Sequence, residues 1–458
     1  MLTNLQTRDV ETLVHPYTNL DTHRRVGPLV LERGKGVYLY DTEGKPYLEG
    51  MAGLWCTSLG YGNEELVETA REQMMKLPFT HLFGGKSHDP AIELAEKLKE
   101  MAPIPVSKVF FGASGSDAND TQIKLVWYYN NALGRPKKKK IIARLKGYHG
   151  VTIASASLTG LPNNHIDFDL PIQNILHTSC PHHYRFGMEG ETEEEFATRL
   201  AHELEELILK EGPETVAAFI AEPVGGAGGV ITPPKGYYEK IQPILQKYDV
   251  LFIADEVITG FGRLGTMFGS SAMNMQPHTM SLAKAITSAY FPLSAVLIPD
   301  FMYEAMIDES KKIGVFGHGF TYSGHPVGTA IGVKTMEIYQ RDNIVGHVQK
   351  LIPHFWKHLD ALREHPLVGE VRGKGLVAGL EIVADKASKK SFEAKQAIGA
   401  KLNMMAQEEG LIVRNMGDTV AVCPPLVISE AEIDELFAKL GKAFDRAEAF
   451  VRAEGLRG

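Results

Sequence analysis

The sequence predicts an α/β protein whose larger domain has a mostly parallel sheet, accompanied by a smaller α+β domain. From about residue 60 to residue 300, short apolar runs alternate with amphipathic stretches, as in a sheet whose strands are joined by helices. The last third has a different, hairpin-rich pattern. The runs are apolar throughout, as expected for parallel strands buried on both faces, and they cover residues 106–112, 140–145, 217–224, 249–257 and 294–300.

The stretch over residues 191–212 shows why the segments between these runs are predicted to be helices. Thr192 and Glu195 have the spacing of a capping box, and Gly212-Pro213 provides a stop signal at the other end. Its apolar side chains recur every four residues, which places them on one helical face: Phe196, Leu200, Leu204 and Ile208.

Residues 369–458 predict a second, smaller unit. Residues 369–383 have the pattern of a strand, a turn and a second strand, and residues 394–410 that of a helix closed by Gly410. A hairpin is predicted to turn at Met416-Gly417-Asp418, and a helix to follow it to the end of the chain. Strands and helices in this order are typical of an α+β domain.

Composition excludes several classes of function. The net charge of 48 − 56 = −8 argues against binding nucleic acid or anionic membranes, which requires a basic surface. The start of the chain lacks a signal-peptide core, and no run approaches the ~20 apolar residues of a membrane helix. Three scattered cysteines, Cys56, Cys180 and Cys423, indicate a reducing compartment without disulfides. We therefore expect a cytoplasmic protein.

No metal site is expected. The segment "CPHHYRFG" (180–187) has histidines, but adjacent histidines point in different directions, and no second ligand group has suitable spacing.

The stretch "GASGSDANDTQIKLVWYYNNALG" (112–134) predicts an anion site. A strand ends, a turn of small residues follows, and a helix begins near Asp117. Gly115 and Ser116 would then lie where a helix start offers unpaired N–H groups to an anion. Simple capping of the helix by Ser114 or Ser116 explains the same residues about as well.

Three further positions could carry chemistry. Asp255 follows an apolar strand at the end where α/β sheets bind ligands, although it could also cap the following turn. Lys284 stands among small apolar residues, where desolvation would lower its pKa and make it a nucleophile, although most lysines are simply solvated. Tyr148 follows the strand at 140–145 and could stack on a flat ligand or merely pack.

Together these features suit pyridoxal 5′-phosphate. Its phosphate needs an anion site, its ring a stacking partner, its pyridine nitrogen an acid and its aldehyde an amine. A nicotinamide dehydrogenase is the main alternative for a glycine-rich α/β chain, but the G-x-G-x-x-G fingerprint is missing.

The chain resembles the class III aminotransferases, which have the aspartate-aminotransferase fold (fold type I), and within them the ω-transaminase or amine:pyruvate aminotransferase branch. The resemblance covers nearly the whole chain. The motifs that carry it occur in the family's order: "SGSDAND", "YHG", "AEPVGGAGGVITPPKGYY", "IADEVITGFGRLG", "LAKAITSAYFPLSA", "GHGFTYSGHPVGTA" and "IVRNMGDTVAVCPPL".

The resemblance implies a role for each matching cofactor residue. Lys284 would form the Schiff base with pyridoxal phosphate, and Asp255 would pair with its pyridine nitrogen. The other implied contacts are to the phosphate (Gly115 and Ser116), the two ring faces (Val257 and Tyr148), the surrounding polar network (Glu222) and the phosphate of the neighbouring subunit (Thr321, with Phe320 beside it).

The substrate residues follow in the same way. Arg414 matches the arginine that binds the carboxylate of the keto acid. An apolar set near the cofactor is implied for Leu54, Trp55, Phe79, Phe83 and Tyr148, although core packing explains Trp55 and Phe83 equally well. The family usually has glutamate at Asp117 and glycine at Ala285, so these two departures affect the fine positioning of the anion site and of the lysine.

The family architecture implies a large domain over residues 59–324 and a small domain built from residues 1–58 and 325–458. It also implies a homodimer with shared active sites, and it leaves the pairing of dimers into tetramers open. The expected reaction moves an amino group from a primary amine or ω-amino acid to a keto acid, pyruvate above all, in a ping-pong sequence. A decarboxylase, an aminomutase or a non-catalytic cofactor-binding scaffold would share the same residues.

Overall fold

The computed structural model describes residues 2–457, which form three sheets and the helices packed around them. In chain order the strands are β1 Leu31–Lys35, β2 Tyr38–Asp41, β3 Pro46–Glu49, β4 Lys108–Gly112, β5 Lys140–Arg144, β6 Ile175–Thr178, β7 Val216–Ala221, β8 Leu251–Asp255, β9 Thr279–Leu282, β10 Ser294–Ile298, β11 Val368–Lys374, β12 Val377–Ile382, β13 Leu411–Ile412, β14 Arg414–Met416 and β15 Thr419–Val422.

The helices lie mainly between and after these strands. In chain order they are α1 Asn4–Thr12, α2 Leu20–Val26, α3 Ala52–Trp55, α4 Glu64–Lys76, α5 Asp89–Met101, α6 Gly115–Ala132, α7 Ile153–Leu158, α8 His183–Phe186, α9 Glu193–Glu211, α10 Tyr237–Lys247, α11 Gly269–Ala272, α12 Asp300–Ile313, α13 Pro326–Arg341, α14 Ile344–Leu362, α15 Ile398–Glu408 and α16 Glu430–Ala453.

A seven-stranded sheet with the order β4-β10-β9-β8-β7-β5-β6 forms the centre of the molecule. The run β9-β8-β7-β5-β6 is parallel, as expected for a mostly parallel sheet, although none of the predicted strands covers β6 or β9. Strand β10 differs, because it runs antiparallel to both of its neighbours. Only residues 283–293 separate β9 from β10, which is shorter than the dozen or so residues of a crossover helix, so the chain reverses direction instead.

The central strands are buried on both faces. Every residue of β7, β8 and β10 is buried, which agrees with the apolar runs in the sequence. Helix α9 begins after Thr192 with the predicted capping box and ends at Gly212, and it packs on this layer through the predicted apolar stripe. Because β5, β7 and β8 are adjacent and parallel, the residues that follow them meet at one edge of the sheet.

Two smaller sheets contain the remaining strands. The predicted strand–turn–strand unit is the antiparallel pair β11–β12, and the predicted hairpin is β14–β15, in a sheet of order β11-β12-β15-β14. In the other sheet, β13 pairs in parallel with β3, which joins a C-terminal strand to an N-terminal one. The domain boundaries at residues 58/59 and 324/325 stay predictions.

Among residues 2–457, no helix is both long enough and apolar enough to cross a membrane.

Candidate active site

The predicted anion site lies at the start of α6. Ser114 caps this helix, because its hydroxyl accepts the N–H of Asp117 at 3.1 Å. The Asp117 carboxylate in turn accepts the N–H groups of Ala113 at 2.8 Å and Ser114 at 3.0 Å. The capping interpretation is therefore right for Ser114. Gly115 and Ser116 follow it and line a cavity.

Gly115 allows this helix start to approach the ligand side of the sheet closely. A Cβ atom at this position would lie only 2.9 Å from Cγ1 of Val257. The hydroxyl of Ser116 accepts the N–H of Val151 at 3.1 Å, which ties the helix start to the loop after β5. The result is a narrow, backbone-lined cradle of the kind that suits a phosphate group.

Asp255 is the last residue of β8 and is almost fully buried, with 3% of its surface exposed. Its Oδ2 atom accepts hydrogen bonds from Nδ2 of Asn119 and from the ring of His149, each at 2.7 Å. Its Oδ1 atom accepts the N–H of Val257 at 3.1 Å, so the predicted capping of the next turn is also present. These contacts fix the orientation of a buried carboxylate that also faces the cavity.

Lys284 follows β9, in the reversal that leads to β10. Its backbone has a φ of +52°, a conformation that costs an L-residue roughly 1–2 kcal/mol and that the surroundings must impose. The neighbours Ala283 and Ala285 are both buried, and the hydroxyl of Tyr339 donates to the carbonyl of Ala285 at 2.8 Å. Burial lowers the pKa of the Lys284 amine below its ordinary value, which favours the nucleophilic neutral form.

Glu222 and Tyr148 form the side of the site after β7 and β5. Glu222 is 3% exposed, and its two oxygens accept the N–H groups of Tyr148 at 2.9 Å and Gly226 at 2.8 Å. Burial raises the pKa of this carboxyl above its ordinary value. Glu222 therefore shapes the loops around the cavity, which is the polar-network role that the resemblance implies.

Arg414 lies on β14 and lines the cavity. Within residues 2–457, no carboxylate oxygen lies within 4.0 Å of its guanidinium, although the side chain is half-buried. Burial also lowers the pKa of this guanidinium, because water solvates its charge poorly. A half-buried, unpaired cation of this kind is stabilised by an incoming anion.

One cavity of about 1200 Å³ contains most of the predicted site. Ten of the residues expected there line it: Leu54, Trp55, Gly115, Ser116, Tyr148, Glu222, Asp255, Val257, Lys284 and Arg414. Trp55 is 2% exposed and belongs to an apolar cluster as well, so its packing and pocket roles coexist.

Phe83, Phe320 and Thr321 are not among the lining residues of this cavity within residues 2–457. Phe83 is 49% exposed and lies beside Gly319, and the ring of Phe320 packs 6.2 Å from that of Phe110. Phe79 lies in the same region, with its ring 5.7 Å from that of Tyr322. Phe79, Phe83 and Thr321 are thus exposed outside the cavity lining, and Phe320 is partly buried beside them.

Sequence reasoning missed several residues of the site. Asn119 follows Gly115 by four positions, so helical periodicity could have placed it on the same face of α6. His149 lies inside the "YHG" motif, but its contact with Asp255 joins two distant strands. Tyr17 also lines the cavity and receives a hydrogen bond from Nδ2 of Asn164, for which no local signal exists.

The residues present fit pyridoxal 5′-phosphate. Gly115 and Ser116 provide a cradle, Val257 and Tyr148 provide two apolar surfaces, and Asp255 and Lys284 provide a fixed carboxylate and a desolvated amine in one cavity. A buried carboxylate facing a desolvated lysine is what a protonated pyridine ring and an aldehyde require. Fold and site together define a pyridoxal-phosphate-dependent enzyme of fold type I.

Comparisons with known proteins identify the family. The class-III aminotransferase family profile matches residues 21–444. Gamma-aminobutyrate transaminase 1, mitochondrial, of Oryza sativa subsp. japonica is 52% identical over 437 residues, which cover 95% of this chain and 85% of that protein. The chain belongs to the class-III aminotransferase family, and it is an aminotransferase that uses pyridoxal phosphate.

Solved structures agree in fold as well as in sequence. The omega transaminase from Pseudomonas jessenii in complex with PMP has a TM-score of 0.97 and 52% identity, covering 98% of this chain and 99% of that chain. A transaminase with L-alanine has a TM-score of 0.91 and 54% identity, covering 92% of this chain and 100% of that chain. The predicted fold class, cofactor and enzyme type are thereby confirmed.

Proposed function

We propose that this aminotransferase takes an amino group from a primary amine or an ω-amino acid and gives it to an α-keto acid, pyruvate in particular. The observation that carries the proposal is the unpaired guanidinium of Arg414 in the cavity that also contains Lys284. A relative is named for γ-aminobutyrate, an ω-amino acid, and a related structure for L-alanine, the aminated form of pyruvate.

Lys284 is the residue that moves the proton. Its amine is desolvated and held by a constrained backbone between two central strands, so it reaches the cavity in a defined position. In the first half-reaction it accepts the proton from the substrate carbon that bears the amino group and would pass that proton to the bound cofactor, which leaves the amine free again. In the second half-reaction it would take a proton back from the cofactor and give it to the corresponding carbon of the keto acid. A positioned base of this kind typically accelerates a proton transfer by ~10²–10⁴.

Asp255 supplies the negative charge that the reaction requires. Pyridoxal phosphate, when bound, provides a pyridinium ring that withdraws electrons from the substrate carbon. The hydrogen bonds from Asn119 and His149 hold the Asp255 carboxylate in one orientation. A fixed, buried carboxylate at this position would hold a proton on the ring nitrogen of the bound cofactor.

Arg414 and the apolar residues of the cavity recognise different parts of the substrates. The guanidinium binds the keto acid's carboxylate through two parallel hydrogen bonds, which a lysine could not form. Leu54 and Trp55 line the same cavity with apolar surface. An amine donor without a carboxylate therefore contacts the apolar surface, and the keto-acid acceptor binds the Arg414 cation.

The test follows the absorption of the bound cofactor in the purified enzyme. Adding 1-phenylethylamine, or γ-aminobutyrate in a parallel cuvette, should bleach the band, and pyruvate should then restore it. Lys284→Ala should abolish turnover, whereas Lys357→Ala, an exposed lysine on α14, should not. Wild-type turnover by Lys284→Ala would overturn the assignment. Failure of pyruvate to restore the band would overturn the choice of acceptor.

The same samples distinguish the rival functions. Release of carbon dioxide would indicate a decarboxylase, and appearance of a substrate isomer would indicate an aminomutase. A coloured protein that no amine bleaches would indicate a non-catalytic scaffold.

We further propose a homodimer whose partner supplies Thr321 to the phosphate. The proposal is supported by three aromatic side chains that cluster near that residue and are exposed in one chain: Phe79 (40%), Phe83 (49%) and Tyr322 (61%). Sedimentation should give at least a dimer, and it will also report whether dimers pair. Thr321→Ala should weaken cofactor binding without changing the dimer. A monomer with full activity would overturn this proposal.

We also propose that the enzyme acts in the cytoplasm, because Cys56, Cys180 and Cys423 are all unpaired, as in reducing compartments. Cell fractionation followed by immunoblotting tests this, and recovery in an organelle or an extracellular fraction would contradict it.

A further inference from the structure

Two histidines and one carboxylate converge in the N-terminal segment, outside the residues used for catalysis. Asp9 lies on α1, His23 on α2, and His15 in the link between these helices. Nε2 of His15 is 2.9 Å from Oδ1 of Asp9 and 3.0 Å from Oδ2. Nε2 of His23 is 3.1 Å from the same Oδ1 atom. Three separate stretches of chain thus bring one ligand atom each to within 4.8 Å of the others.

We propose that Asp9, His15 and His23 bind a divalent transition-metal cation of the zinc class. Neutral imidazole and carboxylate are ligands that Zn²⁺ prefers. Two ligand atoms bound at about 2.1 Å with a tetrahedral angle lie about 3.4 Å apart. The observed separations of 2.9–3.1 Å need to open by only a few tenths of an ångström. A cation placed among them keeps a fourth position for water.

The two histidine rings lie close together and are partly shielded from water. Their centroids are only 4.1 Å apart. The side chains are 9–29% exposed, which limits competition from water while leaving a path for the ion.

Two other clusters of metal-binding side chains are less suitable. His182 lies near Glu370 and Glu381, but both carboxylates already accept hydrogen bonds from the Arg372 guanidinium, which would repel a cation. His354 and His358 meet Asp434 at the surface, where that carboxylate is 56% exposed and well solvated. The surface cluster provides a control of the same composition.

A cation at Asp9, His15 and His23 would affect the active-site cavity. Tyr17 lies between the two histidines in sequence, lines the cavity, and has its ring 6.5 Å from that of Tyr148. The ion would hold α1, the link and α2 in one arrangement and thereby hold Tyr17 beside the substrate. Bound metal should therefore lower the KM for an amine while leaving kcat nearly unchanged.

The test uses the holoenzyme after dialysis against a chelator. Titration with Zn²⁺ in a calorimeter should give one ion per chain, and Co²⁺ should give the visible bands of a tetrahedral site. His23→Ala and His15→Gln should each weaken binding by tenfold or more, whereas His354→Ala should not. Because His15, His23 and His354 are not among the residues that line the cavity within residues 2–457, the cofactor absorption of all three variants should stay normal.

Several outcomes would overturn the inference. They are no Zn²⁺ binding at 1 mM, binding that survives both N-terminal variants, or binding that is lost in His354→Ala instead. Each of these is measured by calorimetry and is independent of transaminase activity, so failure here leaves the proposed function untouched. The KM effect is a second, separate readout.

Discussion

Replacing Glu49 with glutamine should change how the stability of this enzyme depends on pH. Glu49 ends β3 and is 1% exposed. Its oxygens accept the N–H of Met51 at 2.8 Å and the hydroxyl of Tyr61 at 3.2 Å. Burial raises the pKa of this carboxyl to about 7, from 4.5 in the unfolded chain. Glutamine keeps the shape and the acceptor oxygen but does not titrate.

The sign of the effect on stability follows from the direction of the pKa shift of Glu49. A raised pKa means that the folded protein keeps a proton that the unfolded chain has released. The stabilisation is therefore fully present below pH 4.5 and is lost as the pH rises through 7. A shift of 7 − 4.5 = 2.5 corresponds to about 3 kcal/mol at 1.36 kcal/mol per unit. Between pH 5 and pH 8.5, about 2–3 kcal/mol of this difference is accessible.

Urea unfolding of the wild type and of Glu49→Gln at several pH values measures this effect. The free energy of unfolding of the wild type, minus that of the variant, should fall by about 2–3 kcal/mol from pH 5 to pH 8.5. Taking the difference between the two proteins cancels the contributions of the titratable groups that both contain. The control variant is Glu72→Gln, which replaces an exposed carboxylate on α4. Its difference in unfolding free energy from the wild type should not fall in this way between pH 5 and pH 8.5. A difference that stays constant to within about 0.5 kcal/mol would refute the reasoning.

Three further perturbations test the site and its supports. Arg414→Ala should slow the keto-acid half-reaction by at least tenfold and largely spare amine oxidation in stopped-flow assays; equal losses would contradict the carboxylate role. Gly115→Ala should weaken cofactor binding about tenfold in a spectroscopic titration, because the new methyl group meets Val257; unchanged affinity would contradict this. Glu381→Gln should lower the free energy of unfolding by about 3 kcal/mol, because it leaves Arg372 buried without its full charge partner; an unchanged urea midpoint would be inconsistent.

Local patterns were enough to predict most of the central sheet and the residues at its edge. The apolar run before Asp255 predicted a buried strand, and the residues following parallel strands must meet at one edge. The strand before Lys284 was not among the predicted runs. Two residues, Thr192 and Glu195, were enough to predict the capping box at the start of α9. Such features depend on residues that are close together in the chain, so a single sequence is enough to predict them.

Features that depend on distant residues could not be predicted. The direction of β10 is set by its pairing with β4, almost two hundred residues earlier, and by the short reversal before it. The two donors to Asp255 come from α6 and from the loop after β5, and only the fold brings them together. The raised pKa of Glu49 likewise comes from burial against later parts of the chain. Thr321 is exposed in the single chain, so its contact with a partner subunit stays a prediction.

Lys284 and Arg414 differ in how firmly the fold supports them. The lysine is anchored at both ends, by β9 and β10, inside the seven-stranded sheet. The arginine lies on β14, the outermost strand of a small sheet, one hairpin from solvent. The proposed proton transfer and the proposed acceptor recognition therefore depend on different parts of the fold, one between central strands and one at a sheet edge. Substitutions in the hairpin at residues 414–419 could change which acceptors fit while the geometry of proton transfer stays as it is, so acceptor specificity can diverge without rebuilding the catalyst.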